Sequence, residues 1–207
     1  MKNIINKIVN KIDYISILIL CIIYTKIAYV KCYLHNTKIG KDCNFFGNIY
    51  LMNGNGGLIK IEKKCTFRSW TTSNSIGLNH RCMLSCTPAN GTTNITNAYL
   101  EIGNHCGFSG VSIWCFFKII IGNNVRVGAN CLIMDGDAHF DDYRTAPPKP
   151  IIIEDNVFIG ANCVIKKGVT IGQGAIIGMN SVVTHDIPAN AIAVGIPAKA
   201  IKTVKST

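Results

Sequence analysis

Residues 151–183 read IIIEDNVFIGANCVIKKGVTIGQGAIIGMNSVV, and an aliphatic side chain falls on every sixth position: Ile153, Ile159, Ile165, Ile171, Ile177 and Val183. A second pattern is locked to the first. Four residues after each aliphatic stands a small or medium side chain: Val157, Cys163, Val169, Ala175 and Ser181. The same beat runs through Ile121, Val127 and Ile133, and glycine follows the aliphatic at Gly122, Gly128, Gly160, Gly172 and Gly178. Upstream it is more ragged, but Ile39-Gly40 with Cys43, Ile61 with Cys65 and Ile102-Gly103 with Cys106 keep the same offsets.

A period of six is neither the 3.6 of a helix nor the 2 of a long strand. It describes a short strand, a turn and another short strand. Three such units close one triangular coil, and coils stack with each aliphatic pointing inward onto its equivalent. The reading is all-β: a parallel β-helix of about six coils over residues 36–207, preceded by a helix. Small residues fit where the wall turns, and the glycines beside the aliphatics are expected to supply backbone freedom there. One coil cannot bury its own apolar face, so stability comes from its neighbours, at roughly 1.5–3 kcal/mol per buried aliphatic.

Residues 1–35 lack the beat and read as helix, with Lys2, Lys7, Lys11, Lys26 and Lys31 flanking or following an uncharged stretch from Tyr14 to Thr25. That stretch is shorter than the roughly 20 apolar residues a bilayer span needs, and no small-residue cleavage site follows it. Two expectations remain open. The helix packs against the solenoid end or a neighbouring subunit, or it lies on the inner membrane surface with its lysines toward anionic lipid.

The 207 residues suffice for one sizeable domain, and 48% hydrophobic against 15% charged residues suits a solenoid better than a disordered chain. Five of the ten cysteines, Cys43, Cys65, Cys106, Cys131 and Cys163, occupy the small position of the repeat, where a thiol is an apolar filler. Reduced thiols in a cytoplasmic protein are therefore expected. Only a CxxxC pair, Cys82 and Cys86, hints at a metal, and no metal is expected. The net charge of +10 suits an anionic small molecule or a membrane surface. No nucleic-acid-binding motif accompanies it, and no phosphate- or dinucleotide-binding glycine fingerprint is present.

The beat breaks between Ile133 and Ile153, where Met134-Asp135-Gly136-Asp137-Ala138-His139-Phe140-Asp141-Asp142-Tyr143-Arg144 leads into a proline-bearing stretch. A polar loop on a rigid scaffold is where chemistry tends to sit. Histidine, with an unperturbed pKa near 6.5, suits a general base that takes a proton from a hydroxyl. Asp137, Asp135 or a backbone carbonyl would orient the His139 ring.

The repeat resembles that of the hexapeptide-repeat acyltransferases, most of all the bacterial polysaccharide and sugar O-acetyltransferases. The resemblance covers about residues 36–202. It implies a left-handed winding, acetyl-CoA as cosubstrate, a homotrimer with sites at subunit boundaries, and a sugar or glycan acceptor in the building of capsule, lipopolysaccharide or exopolysaccharide. The segment from Asp135 to His139 is similar to the Asp-x-Asp-x-His segment of those enzymes, whose His is the catalytic base. Phe140 stands where proline often follows. Gly195-Ile196-Pro197-Ala198-Lys199 is similar to the ending that closes the last coil and sets a cation, here Lys199, near coenzyme A phosphates. By the same resemblance Gly160 and Ala161 meet the pantetheine arm, Gly178 permits close approach, and Lys166 and Lys167 meet phosphates. His80, Ser109, Ser112, Trp114 and Arg144 are the acceptor-side candidates. The alternative is a small-molecule acetyltransferase, xenobiotic or serine-type, on the same fold.

Overall fold

A computed structural model describes residues 2–89 and 94–203, with side chains from residue 15 onward. Helix α1 (Lys2–Leu34) precedes six coils of three short strands each. The first coil holds β1 (Lys38–Ile39), β2 (Asn44–Phe46) and β3 (Tyr50–Asn53), and the second β4 (Gly57–Ile61), β5 (Thr66–Arg68) and β6 (Met83–Cys86). In the third come β7 (Ala98–Ile102), β8 (Gly107–Ser109) and β9 (Ser112–Cys115), and in the fourth β10 (Lys118–Ile121), β11 (Arg126–Ala129) and β12 (Leu132–Met134). The fifth has β13 (Ile151–Ile153), β14 (Phe158–Ile159) and β15 (Val164–Lys166); the sixth has β16 (Thr170–Ile171), β17 (Ile176–Ile177) and β18 (Val182–Val183). Equivalent strands pair in parallel from coil to coil and build three faces: β1 to β16, β2 to β17, and β3 to β18. An antiparallel hairpin, β19 (Ala191–Gly195) with β20 (Ala198–Thr203), extends the second face and ends the prism.

The register explains the beat. Ile121 stands on Ile153 and Ile153 on Ile171; Ile133 stands on Ile165 and Ile165 on Val183. All of these are buried. On the second face the inward column starts with larger side chains. Phe45, Phe67 and Phe108 stack at centroid spacings of 4.9 and 5.1 Å before Val127, Ile159 and Ile177 take over. All ten cysteines are buried and unpaired. Those in the repeat point S–H at the coil above, as Cys131 does to the Gly160 carbonyl at 3.0 Å and Cys163 to that of Gly178 at 3.1 Å.

The corners turn differently from the sequence expectation. The left-handed backbone there is carried mainly by asparagine, as at Asn124, Asn130, Asn156, Asn162 and Asn180, with φ between 57° and 61°. Asparagine tolerates this region far better than most side chains. The glycine beside the aliphatic has another task, which is closeness. A Cβ on Gly122 would lie 2.4 Å from Asp155 Oδ1 and 2.8 Å from Asp155 N, and one on Gly160 would lie 2.5 Å from the Met179 nitrogen.

Helix α1 is one continuous element of 33 residues. One side caps the first coil: Cys21, Ala28 and Cys32 are buried, Tyr29 Oη donates to the Gly40 carbonyl at 2.8 Å, and the Phe45 N–H donates to Thr25 Oγ1 at 3.0 Å. Lys31 bonds Asn48 and the Ile49 carbonyl. The opposite side, including Ile15, Ile19, Ile22, Ile23 and Val30, is exposed. The segment Ile15–Leu34 has 20 residues and a mean hydropathy of 1.9, long and apolar enough by composition to cross a membrane. The charge-free stretch alone understated this, because Lys26 and Lys31 interrupt the run without lowering its average much. The side chains of Lys2, Lys7 and Lys11 lie outside the described residues.

Candidate active site

Strand β12 ends the third face of coil four and β13 begins the first face of coil five, so the loop 135–150 springs from the corner between those faces. Its two ends are fixed in different ways. Asp135 is fully buried and faces inward. Its carboxylate accepts N–H bonds from Phe116 (2.7 Å), Phe117 (2.9 Å) and Lys118 (2.7 Å), which closes the corner of the coil below. Burial pushes its carboxyl above the ordinary value, and the three donors oppose that rise. Asp135 therefore builds the corner and does not orient the His139 ring.

Asp137 pairs with Lys167, whose ammonium also donates to the Ala146 carbonyl at 2.8 Å. Burial would raise the Asp137 carboxyl, but the lysine outweighs it and holds the group below its usual range. Lys167 is thus committed to the loop and is not free for a phosphate. Between these anchors Phe140 folds back edge-on to Phe116, with ring centroids 4.8 Å apart, and Phe116 in turn packs on Trp114 at 4.7 Å. Gly136 is required beneath them, since a Cβ there would sit 2.8 Å from Phe116 and 3.0 Å from Phe140.

His139 caps this arrangement with its ring exposed, and the ring makes no hydrogen bond or ion pair among the described residues. Its carbonyl accepts from Asp142 N at 3.1 Å and from Thr145 Oγ1 at 2.8 Å, a compact turn that fixes the backbone beneath the ring. Asp137 spends its carboxylate on Lys167, and Asp142, in the turn after the ring, spends its own on Arg144. Asp142 is held below the ordinary range chiefly by Arg144, which grips it through Nε at 2.9 Å and through Nη2, and to a lesser extent by His139. Arg144 is thereby occupied within the loop. Neither the Arg144–Asp142 grip nor the Phe116–Phe140 contact was legible from the sequence. The only signal was an Asp three residues after the His, inside a turn.

The other candidates are spread over the prism. Outward-facing Trp114, Met134 and Lys166 stand in register on the third face beside the loop, with Ser112 next to them. Gly160, Ala161 and Gly178 lie on the corner between the second and third faces. Lys199 is exposed on the terminal hairpin, opposite Val194. Ser109 ends β8 on the second face, and His80 sits above the corner at Gly110, its Nδ1 2.9 Å from the Arg81 carbonyl. Within one chain His139 and Gly160, Ala161 and Gly178 occupy different corners of the prism. Among the described residues no group of metal-ligating side chains forms.

A prism of six-residue rungs interrupted by a protruding histidine-bearing loop defines a class, the hexapeptide-repeat parallel β-helix proteins. Residues 118–136 and 150–185 match the family model of the hexapeptide repeat of succinyl-transferase. A candidate acetyltransferase of Schizosaccharomyces pombe is 41% identical over 107 residues, covering 49% of each chain. The galactoside O-acetyltransferase of Escherichia coli is 38% identical over 88 residues, covering 42% of this chain and 28% of that one. The chain spans about half the length of the curated relatives it matches. The solved polySia specific acetyltransferase NeuO shares the fold at a TM-score of 0.60 and 21% identity, over 83% of this chain and 79% of that one. A hexapeptide-repeat acetyltransferase of Vibrio cholerae does so at 0.53 and 22%, over 88% and 82%. Residues 118–136 and 150–185 thus carry the hexapeptide repeat, and the chain has the left-handed β-helix fold of these solved structures.

Proposed function

We propose that the protein is an acetyl-CoA-dependent O-acetyltransferase acting on a sugar or glycan, with His139 as general base. The observation that carries this reading is the exposed imidazole ring of His139 on a loop pinned by Asp135, by Lys167 and by the Phe116–Phe140 contact. That is a base held in place with its ring open to an acceptor. His139 takes the proton of an acceptor hydroxyl as the oxygen attacks the acetyl carbonyl of the thioester. A tetrahedral oxyanion forms, stabilised by a backbone N–H. On its collapse the C–S bond breaks, the acetyl group stays on the acceptor oxygen, and the proton on His139 passes to the departing thiolate. No acyl-enzyme is needed.

Trp114, exposed beside the loop, supplies an aromatic face for a sugar ring, and Lys166 next to it supplies a positive charge. The separation of His139 from Gly160, Ala161 and Gly178 on different corners supports a site completed by a neighbouring copy in a homotrimer. The exposed apolar side of α1 supports peripheral contact with the inner face of a cytoplasmic membrane, where glycan building blocks on lipid carriers would be within reach.

The test is thiol release from acetyl-CoA across a panel of neutral and acidic sugars, serine and small antibiotics, with the acetylated product identified by mass spectrometry. Release stimulated only by serine or an antibiotic would replace the glycan reading with the small-molecule one. No stimulation by any hydroxyl acceptor would remove both.

A further inference from the structure

On the second face, away from the His139 loop, lies a hollow of about 360 Å³. That size is at the small end of ordinary ligand pockets. Its depth comes from small residues in outward positions, Gly107, Ser109 and Gly128, on strands whose neighbours present long side chains. Its rim is basic: Lys64, Arg68, His105 and Arg126 border it, and no carboxylate does.

Both guanidinium groups are held by neutral partners. Arg126 lies over Gly107, where an added Cβ would come within 3.2 Å of its Cδ, and bonds the His105 carbonyl. Arg68 bonds the Ser73 carbonyl at 2.6 Å and rests over the Phe46 ring at 4.6 Å. Arg68 is fixed by one backbone acceptor and Arg126 by two, the His105 and Val125 carbonyls, each through Nη1 alone, so most donors of both forks remain unspent. The ion pairs among the described residues join Lys60 to Glu62 and Glu101, Arg144 to Asp142, and Lys167 to Asp137; none reaches the hollow. Ser109 is 8% exposed as a residue, and its hydroxyl makes no hydrogen bond among the described residues. Half-exposed Phe158 forms an apolar wall. Two pre-set arginine forks, a spare hydroxyl and an aromatic wall are the groups that hold a carboxylate or phosphate attached to a sugar ring.

We propose that this hollow is a preformed oxyanion site that holds the acidic group of an anionic glycan. Identifying the glycan as the acceptor rests on the acetyl-transfer reading; the anion site does not. The unaltered protein is titrated calorimetrically with a glucuronate-containing tetrasaccharide, with its carboxyl-reduced counterpart, with inorganic phosphate and with coenzyme A. The acidic tetrasaccharide binds at least about tenfold tighter than the reduced one, phosphate competes with it, and the preference shrinks as salt is raised. Arg126→Gln and Arg68→Gln each remove the preference and leave coenzyme A binding unchanged, while Arg126→Lys restores part of it. Equal affinity for the two tetrasaccharides, or no competition by phosphate, overturns the proposal without any variant. So does an equal loss of coenzyme A affinity in Arg126→Gln, which would assign the hollow to the donor's phosphates. An acid preference that persists in a protein without transferase activity would uphold the site and discard the acetyl-transfer reading.

Discussion

Lys167, at the corner of the fifth coil, is paired with Asp137, which stands 30 residues earlier at the corner of the fourth. Neither side chain is more than 27% exposed, so the pair is shielded far better than an ordinary surface contact. With the Ala146 carbonyl as a third partner, it closes the base of the loop that carries His139.

The pH response of the loop follows from that pair. The Asp137 carboxyl is depressed in the folded protein, so its contribution is fully present above the ordinary aspartate value near 3.9 and is lost as pH falls through its lower folded value. Acidification below about pH 4 should speed proteolytic nicking of residues 138–148 before the solenoid melts. Lys167→Met should nick readily even at pH 7 and should flatten that acid-dependent step. A Lys167→Met protein as resistant as the parent would show that the pair does not hold the loop.

His139 and Phe140 should separate chemistry from positioning. With acetyl-CoA and an accepted sugar, His139→Ala should lower kcat by about 10²–10⁴-fold, the range for loss of a general base. Phe140→Ala removes an edge-to-face contact worth about 0.5–1.5 kcal/mol. It should lower kcat by roughly tenfold or less, with Phe140→Leu in between and the pH profile unshifted. Full turnover in a folded His139→Ala protein would take the residue out of the mechanism.

Asp135 should behave as a structural residue. Asp135→Ala strands three N–H groups at a buried corner, and each unsatisfied donor costs about 1–3 kcal/mol before relaxation or water entry. The expected outcome is a loss of several kcal/mol in denaturant unfolding. Asp135→Asn, whose one amide oxygen can take the place of Oδ2 and accept from Phe117 and Lys118, should lose less. Unchanged stability in Asp135→Ala would contradict the assignment.

The corners distinguish conformation from closeness. Asn162 has φ 57°, so Asn162→Ala should destabilise by about 1 kcal/mol while Asn162→Gly is nearly neutral. Gly160 has no such backbone demand but lies against the Met179 backbone, so Gly160→Ala should cost more than Asn162→Ala. Thermal melts of the three variants would rank them, and the reverse order would refute this division of labour.

The sequence by itself determined the prism. Inward aliphatics recur because every coil meets the same neighbour in the same register, and a repeated contact leaves a repeated residue, from Ile121 through Ile153 to Ile171. It also marked the loop at His139, since a break in a strict period is visible without coordinates. Only the tertiary structure decided what surrounds that histidine. Asp135 and Asp137 look equivalent in sequence, yet one faces inward under three backbone donors while the other turns outward to a lysine one coil away. Phe116 meets Phe140, and Arg68 comes to share a hollow with Arg126, through stacking of coils whose intervening loops differ in length. Those contacts depend on which corner each side chain leaves and at what height. Chain spacing does not encode that once insertions separate the rungs.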